Sequence, residues 1–183
     1  MSQPVENTIT DFMEMATKAS DQAYRFWQKA ANQETSNDDP SASIMNDFSK
    51  AFEELGEAFY RNPNKIIADQ VQLMQKQQAL FQSTALRFLG QEVESVICPE
   101  KDDHRFKDAD WTDNVMFDYI KQLYLLQSKS LTDMIGDADG LSEKSRQKVD
   151  YLMRQFVSAL SPTNFAGLNP EVIRKTLETG GAN

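Results

Sequence analysis

The chain has 183 residues with a formal net charge of −9, and 40% of its residues are hydrophobic. An acidic chain repels the phosphates of nucleic acids and of anionic lipid surfaces, so neither is an expected partner. The single cysteine excludes an internal disulfide, and the first residues do not form a secretion signal, so the sequence predicts a cytoplasmic protein. No stretch approaches the ~20 apolar residues of a transmembrane segment.

Apolar residues recur three and four apart along almost the whole chain and nowhere alternate, which predicts an all-α helical bundle. Residues 1–33 are predicted to form an amphipathic helix with one narrow apolar stripe. The stripe contains Val5, Ile9, Phe12, Ala16, Ala19, Ala23, Phe26 and Ala30. Its large side chains, Phe12 and Phe26, and the neighbouring Trp27 are candidate partner-binding residues. Residues 34–43 include Pro40 and no large apolar side chain, so they are predicted to be a linker.

Residues 44–97 are predicted to form amphipathic, coiled-coil-like helices. Asn62-Pro63 marks a helix start, because Asn is a favourable N-cap and Pro fits the first helical position. The second helix is expected to run to about Ile97, with a 3.5-residue apolar stripe that Gln78 interrupts. The two helices supply further candidates for core or partner packing: Phe48, Phe52, Phe59, Val71, Met74 and Phe81.

Residues 98–183 are predicted to form a more compact helical part with denser aromatic side chains. One helix contains Met116 to Leu131 and ends near Gly136. The next is started by Ser142 and stopped by Pro162. Asn169-Pro170 starts a last short helix that is expected to end at Gly180-Gly181.

The sequence contains no recognisable catalytic or metal-binding motif. Cys98 lies between Ile97 and Pro99 rather than on the sharp, glycine-flanked turn of a nucleophilic cysteine. His104, the only histidine, is predicted to be a surface residue, and a metal site at Asp102, Asp103 and His104 is disfavoured because adjacent residues seldom converge on one ion. We therefore expect no catalytic residue, no bound cofactor and no metal.

Five ordered motifs carry a resemblance to a known family. They are residues 103–111, DHRFKDADW, then 119–126, YIKQLYLL, then 160–165, LSPTNF, then 169–171, NPE, and 177–181, LETGG. Together they resemble the N-terminal domain of class I polyhydroxyalkanoate synthases. The motif residues to which the resemblance assigns a structural role are Arg105, Phe106, Trp111, Tyr124, Asn164, Phe165, Asn169 and Pro170.

The resemblance implies that the chemistry lies in a separate α/β-hydrolase domain, which is absent here, so the chain is expected to be a fragment of a longer enzyme. In that family the enzyme transfers (R)-3-hydroxyacyl groups from coenzyme A to a polyester chain. The N-terminal domain is then expected to support activity, dimerisation and binding to granules, with the catalytic domain, a second copy, granule-associated proteins or the polyester surface as partners. Two alternatives remain open from the residues: a free-standing granule-coating protein of the phasin type, and a coiled-coil scaffold unrelated to polyester.

Overall fold

The computed structural model describes the backbone of residues 40–179 and the side chains of residues 46–179. Within these ranges every regular element is a helix, which confirms the predicted all-α fold. The α-helices are α1 (Pro40–Arg61), α2 (Pro63–Phe88), α3 (Asp110–Asp113), α4 (Val115–Gly136), α5 (Glu143–Ala159) and α6 (Pro170–Glu178). Short 3-10 helices cover His104–Phe106 and Pro162–Asn164. No helix in the described part of the chain is both long and apolar enough to cross a membrane.

The predicted helix starts are confirmed, because polar side chains cap them as expected. The Asn62 side chain accepts a hydrogen bond from the Lys65 amide, and Ser142 accepts one from the Ser145 amide. Asn169 accepts from the amides of Glu171 and Val172, with Pro170 at the first position of α6. Each cap satisfies a backbone donor that has no partner inside its helix.

Two predicted boundaries lie elsewhere in the structure. Helix α2 ends at Phe88 rather than near Ile97, because Gly90 takes a φ of 80° and the chain then continues as an irregular segment through Pro99. A glycine in the left-handed region is a common helix terminator. Helix α1 begins at Pro40, so residues 40–43 of the predicted linker are helical. The helix predicted at residues 1–33 and the rest of the linker lie outside the described residues.

The long helices pack as two neighbouring pairs. Helix α2 lies antiparallel along α4, with Lys65 3.2 Å from Asp137 at one end and an Arg87–Asp118 ion pair at the other. Helix α1 packs against α5, where Asp47 forms ion pairs with Lys144 and Lys148. Helices α4 and α5 contact each other and join the two pairs.

One small hydrophobic core connects the two parts of the chain that the sequence had separated at residue 97. Its buried members come from α1, from α4 and the turn after it, and from α5: Ala51, Leu55, Ala58, Ile135, Ala138 and Val149. Phe52 and Phe59 pack against this cluster from α1. Residues 46–61 are therefore part of the same packed unit as residues 135–153.

Candidate functional site

The first group of motif residues forms an aromatic cluster beneath an arginine. Trp111 is 1% exposed and Phe106 is 8% exposed, with their rings edge to face at 5.1 Å between centroids. The Tyr124 ring lies 6.0 Å from Phe106, and the Phe117 ring lies 5.7 Å from Trp111. These rings hold the segment before α3 against α4, because aromatic pairs combine large buried area with a favourable edge-to-face geometry.

Arg105 closes this cluster through a short chain of polar contacts. Its guanidinium donates hydrogen bonds of 2.8 Å to both carboxylate oxygens of Asp103 and one of 2.7 Å to the Tyr124 hydroxyl. The hydroxyl in turn donates to the carbonyl oxygen of Val157 at 2.9 Å. The hydrogen bonds that Arg105 donates to the Asp103 carboxylate lower the pKa of Asp103 and raise the pKa of Arg105. The arrangement connects the loop, α4 and α5 and keeps both charges fixed at neutral pH.

The second group of motif residues organises the turn between α5 and α6. The Asn164 side-chain amide donates to the carbonyls of Ser158 and Ala159, so it caps the end of α5. The Asn169 side chain caps α6 with its oxygen and donates from its nitrogen to the Thr163 carbonyl at 2.9 Å. Pro170 is buried and Phe165 is half-buried. These four residues therefore satisfy backbone groups and fill space within the fold.

A buried polar network is the feature that sequence reasoning missed. Asp118, Lys121 and Gln122, on α4, are all less than 5% exposed. The Asp118 carboxylate forms ion pairs with Arg87 of α2 and, at 2.8 Å, with Lys121.

Gln122 and Lys121 connect this network to the loop and α3. Gln122 donates to Asp118 at 2.6 Å, and its oxygen accepts from the amides of Val96 and Ile97. The Lys121 ammonium donates to the carbonyl of Trp111 at 2.8 Å. The network thereby pairs the buried charges and satisfies backbone amides of the irregular segment, as burial of such groups requires. Two adjacent polar residues, Lys121-Gln122, inside the apolar motif YIKQLYLL were the available signal.

The candidate partner-binding residues divide into three groups. Phe52 and Phe59 pack against the core, and Phe48 is half-buried beneath the Lys148 ammonium, 5.8 Å from its ring centroid. Val71, Met74 and Phe81 instead lie exposed on one face of α2. Phe12, Phe26 and Trp27 fall outside the described residues.

Cys98 and His104 lie on exposed stretches of the chain. Cys98 belongs to the irregular segment after α2 and is not on a strand-to-helix elbow of the kind that presents a nucleophile. In residues 46–179 no three histidine, cysteine or carboxylate side chains converge as a set of metal ligands. The candidate functional feature of the described chain is thus a surface, the exposed face of α2, held on a scaffold of motif residues.

Comparison with known proteins identifies the family of the segment that contains the motif residues. A family model described as the N-terminus of poly-beta-hydroxybutyrate polymerase (PhaC) matches residues 102–183, the stretch that contains the Arg105 cluster and the Asn164–Asn169 turn. Residues 102–183 belong to the polymerase N-terminal family. The recognition made from the five motifs is thereby confirmed.

Curated relatives extend the similarity beyond the family model. A poly(3-hydroxyalkanoate) polymerase of Methylorubrum extorquens is 40% identical over 142 residues, which is 78% of this chain and 24% of the relative. The poly(3-hydroxyalkanoate) polymerase subunit PhaC of Rhizobium meliloti (strain 1021) is 34% identical over 145 residues, 79% of this chain and 24% of the relative. The chain thus spans about a quarter of the length of these polymerases. No solved structure matches the chain significantly.

Proposed function

We propose that this chain is the non-catalytic N-terminal part of a polyhydroxyalkanoate polymerase. The parent enzyme would transfer (R)-3-hydroxyacyl groups from coenzyme A to polyester. In this proposal the helical part binds the catalytic domain, supports its activity, and promotes dimerisation and attachment to cytoplasmic polyester granules or to granule-associated proteins.

The observation that carries the proposal is that the motif side chains of the polymerase N-terminal segment pack against and cap elements of their own fold. Arg105, Trp111 and Tyr124 form an internal brace, while Asn164 and Asn169 cap helices. Side chains fully engaged in packing and capping support a scaffold role, because a catalytic group must be free to contact substrate.

Acyl transfer from a thioester needs a nucleophile activated by a neighbouring base. The chain's single cysteine and single histidine are Cys98 and His104. Cys98 is exposed on the irregular segment after α2, and His104 is exposed at the start of a short 3-10 helix. The exposed apolar face of α2 supports the association half of the proposal, since contiguous apolar surface on a folded domain commonly marks an interaction site.

Two alternatives were open from the sequence. A phasin-type coating protein and an unrelated coiled coil would both use amphipathic helices. The relatives reported above are named polymerases and share up to 40% identity with the chain, which favours the polymerase reading over both.

The test measures coenzyme A release from (R)-3-hydroxybutyryl-CoA. We expect the chain alone to release none, and a polymerase from which this N-terminal part is removed to lose activity that the separately added chain restores. A chain carrying Trp111→Ala should fail to restore activity, whereas Tyr60→Ala, at a side chain that is 88% exposed, should restore it as well as the wild type. Coenzyme A release by the chain alone that disappears in Cys98→Ala would refute the non-catalytic role. Full activity of the shortened polymerase would refute the proposed role of this chain in supporting activity.

A further inference from the structure

An irregular strap, residues 91–99, follows α2. It begins after Gly90, whose φ of 80° ends the helix. Among residues 46–179, one backbone–backbone hydrogen bond involves the strap, from the Gln91 amide to the Leu86 carbonyl at 3.1 Å. Few backbone hydrogen bonds and high exposure are typical of segments that open locally. Five of the nine strap residues are exposed: Gln91, Glu92, Glu94, Ser95 and Cys98.

One buried side chain makes the short hydrogen bonds between the strap and the rest of the described chain. The oxygen of the Gln122 side chain, which is 1% exposed, accepts from the amides of Val96 and Ile97 at 2.7 and 3.2 Å. The contact from the Ser83 hydroxyl to the Glu94 carbonyl is 3.5 Å long and therefore weak. The valine and isoleucine side chains of the strap are only half-buried, so the Gln122 hydrogen bonds carry much of its attachment.

The orientation of the Gln122 amide is fixed by the charge next to it. Its nitrogen donates to the Asp118 carboxylate at 2.6 Å. Because an ionised carboxylate only accepts hydrogen bonds, the amide nitrogen must face Asp118 and the amide oxygen is left to face the strap. Asp118 is in turn held by ion pairs with Arg87 and Lys121. The position of the strap is thus set by buried charges of α2 and α4.

The same charges hold α3. Arg87 donates to the carbonyl of Thr112 at 2.7 Å, and Lys121, which is 4% exposed, donates to the carbonyl of Trp111 at 2.8 Å. Water that reached this network would compete with both donors, because hydrogen bonds of charged groups are stronger in a dry interior than in water. The hold on α3 therefore depends on the cover that the strap provides.

We propose that the strap opens and closes as a local unit, with Gln122 as its latch, and that opening loosens the hold of the buried network on α3. The structure shows the closed state. Gly90 is the pivot at one end, where a left-handed backbone needs no side chain and a Cβ would meet no atom within 4 Å. No strap residue belongs to the core cluster of α1, α4 and α5, so opening leaves that core in place. The device couples the end of α2 to the motif segment, and it is tested on the 1–183 chain without any polymerase.

Amide hydrogen exchange of the 1–183 chain, resolved residue by residue by NMR, measures the opening. We expect the amides of Val96 and Ile97 to be protected, to exchange faster than the amide of Leu126 in α4, and to do so at a rate that low urea concentrations leave unchanged. A rate independent of urea indicates an opening that exposes little new surface, whereas amides of the core should follow urea-dependent global unfolding.

Two variants remove the latch from opposite sides. Gln122→Leu deletes the acceptor and should speed exchange of the Ile97 amide by about tenfold or more. Val96→Pro deletes a donor while leaving the side chains of the network unchanged, because proline has no amide hydrogen. In Val96→Pro the amide of Asp113 in α3 should exchange faster together with that of Ile97. Gln127→Leu is the matched control, since it makes the same substitution at an exposed position of α4 and should leave the strap amides unchanged.

The unique cysteine supplies a second measurement. A nitroxide attached to Cys98, which is exposed on the strap, should be more mobile by electron paramagnetic resonance in both latch variants than in the wild type or the Gln127→Leu control. Circular dichroism should give the same helix content for all four proteins, because the opening is confined to the strap and α3.

Four exchange results would overturn the proposal. Strap amides that are unprotected in the wild type would mean that no latch exists, and strap amides that exchange only with the urea-dependent unfolding of α4 would mean that the strap does not open locally. An Ile97 amide that stays protected in both latch variants would remove Gln122 from the role. An Asp113 amide unaffected by Val96→Pro would show that the opening does not reach α3.

Discussion

Trp111 takes part in both the aromatic contacts and the buried polar contacts of the motif segment. Its ring packs against Phe106 and Phe117, and its carbonyl oxygen accepts the ammonium of Lys121. The aromatic cluster and the buried polar network therefore meet at this one residue. A side chain that is 1% exposed in such surroundings contributes to stability through both packing and the position of its backbone.

Trp111→Ala is expected to destabilise the fold by about 3–5 kcal/mol, the usual cost of deleting a buried large aromatic side chain. Urea unfolding followed by circular dichroism measures this effect. Tyr60→Ala is the control, because that side chain is 88% exposed and its removal should change the free energy of unfolding by less than about 0.5 kcal/mol. An unchanged midpoint for Trp111→Ala would show that this side chain does not hold the motif segment in place.

At the scale of elements, three glycines occupy three different positions relative to the helices. Gly90 ends α2 with a φ of 80°, and Gly140 turns the chain between α4 and α5 with a φ of 86°. Gly56 lies inside α1, where a Cβ would meet no atom within 4 Å. Only the first two positions require a left-handed backbone, which side chains disfavour.

Gly140→Ala and Gly56→Ala are therefore expected to have opposite effects. The first should destabilise the chain by about 1 kcal/mol or more, because alanine is strained at positive φ; its Cβ would also lie 2.9 Å from the Arg61 guanidinium. The second should stabilise it by about 0.5–1 kcal/mol, since alanine is the better helix former. Thermal unfolding of the two variants shows whether each substitution lowers or raises the melting temperature. Equal effects of the two substitutions would contradict the assignment of strain to the turn.

At the scale of the whole molecule, the shared core decides which pieces of the chain can fold. The sequence predicts residues 98–183 as the more compact helical part of the chain. The structure adds that Ala51, Leu55 and Ala58 fill the same cluster as Ile135 and Val149. Helix α2 also covers α4 along its length and supplies Arg87 to the buried Asp118.

Removal of residues 1–97 should therefore abolish cooperative unfolding, whereas removal of residues 1–39 should leave it intact. The larger deletion removes Arg87 from the Asp118 network and the apolar side chains that α1 packs against α4 and α5. A marginally stable domain does not tolerate the loss of that burial. Differential scanning calorimetry distinguishes the two pieces. A cooperative transition of the 98–183 piece near that of the whole chain would show that α1 and α2 are dispensable for folding.

The sequence by itself determined the helical class, the capped helix starts and the motif residues, because these depend on local periodicity and on side chains that bond to their own backbone. Phe106 and Trp111, to which the resemblance assigned a structural role, are both buried. The end of α2 was predictable too, from Gly90, but the apolar residues beyond it suggested that the helix continues.

Only the tertiary structure decided which apolar face of each helix is buried. Helix α1 turns Phe52 and Phe59 toward the core, while α2, which has two apolar faces, uses Leu80 and leaves Met74 and Phe81 exposed. Periodicity locates both faces, but the choice depends on which neighbour offers surface to bury, and α4 is more than 30 residues away in sequence from most of α2. The Asp118 network could not be predicted from the sequence for the same reason. Its buried polar groups are satisfied only because Arg87 and the backbone amides of Val96 and Ile97, which belong to other parts of the chain, lie next to α4 in the fold.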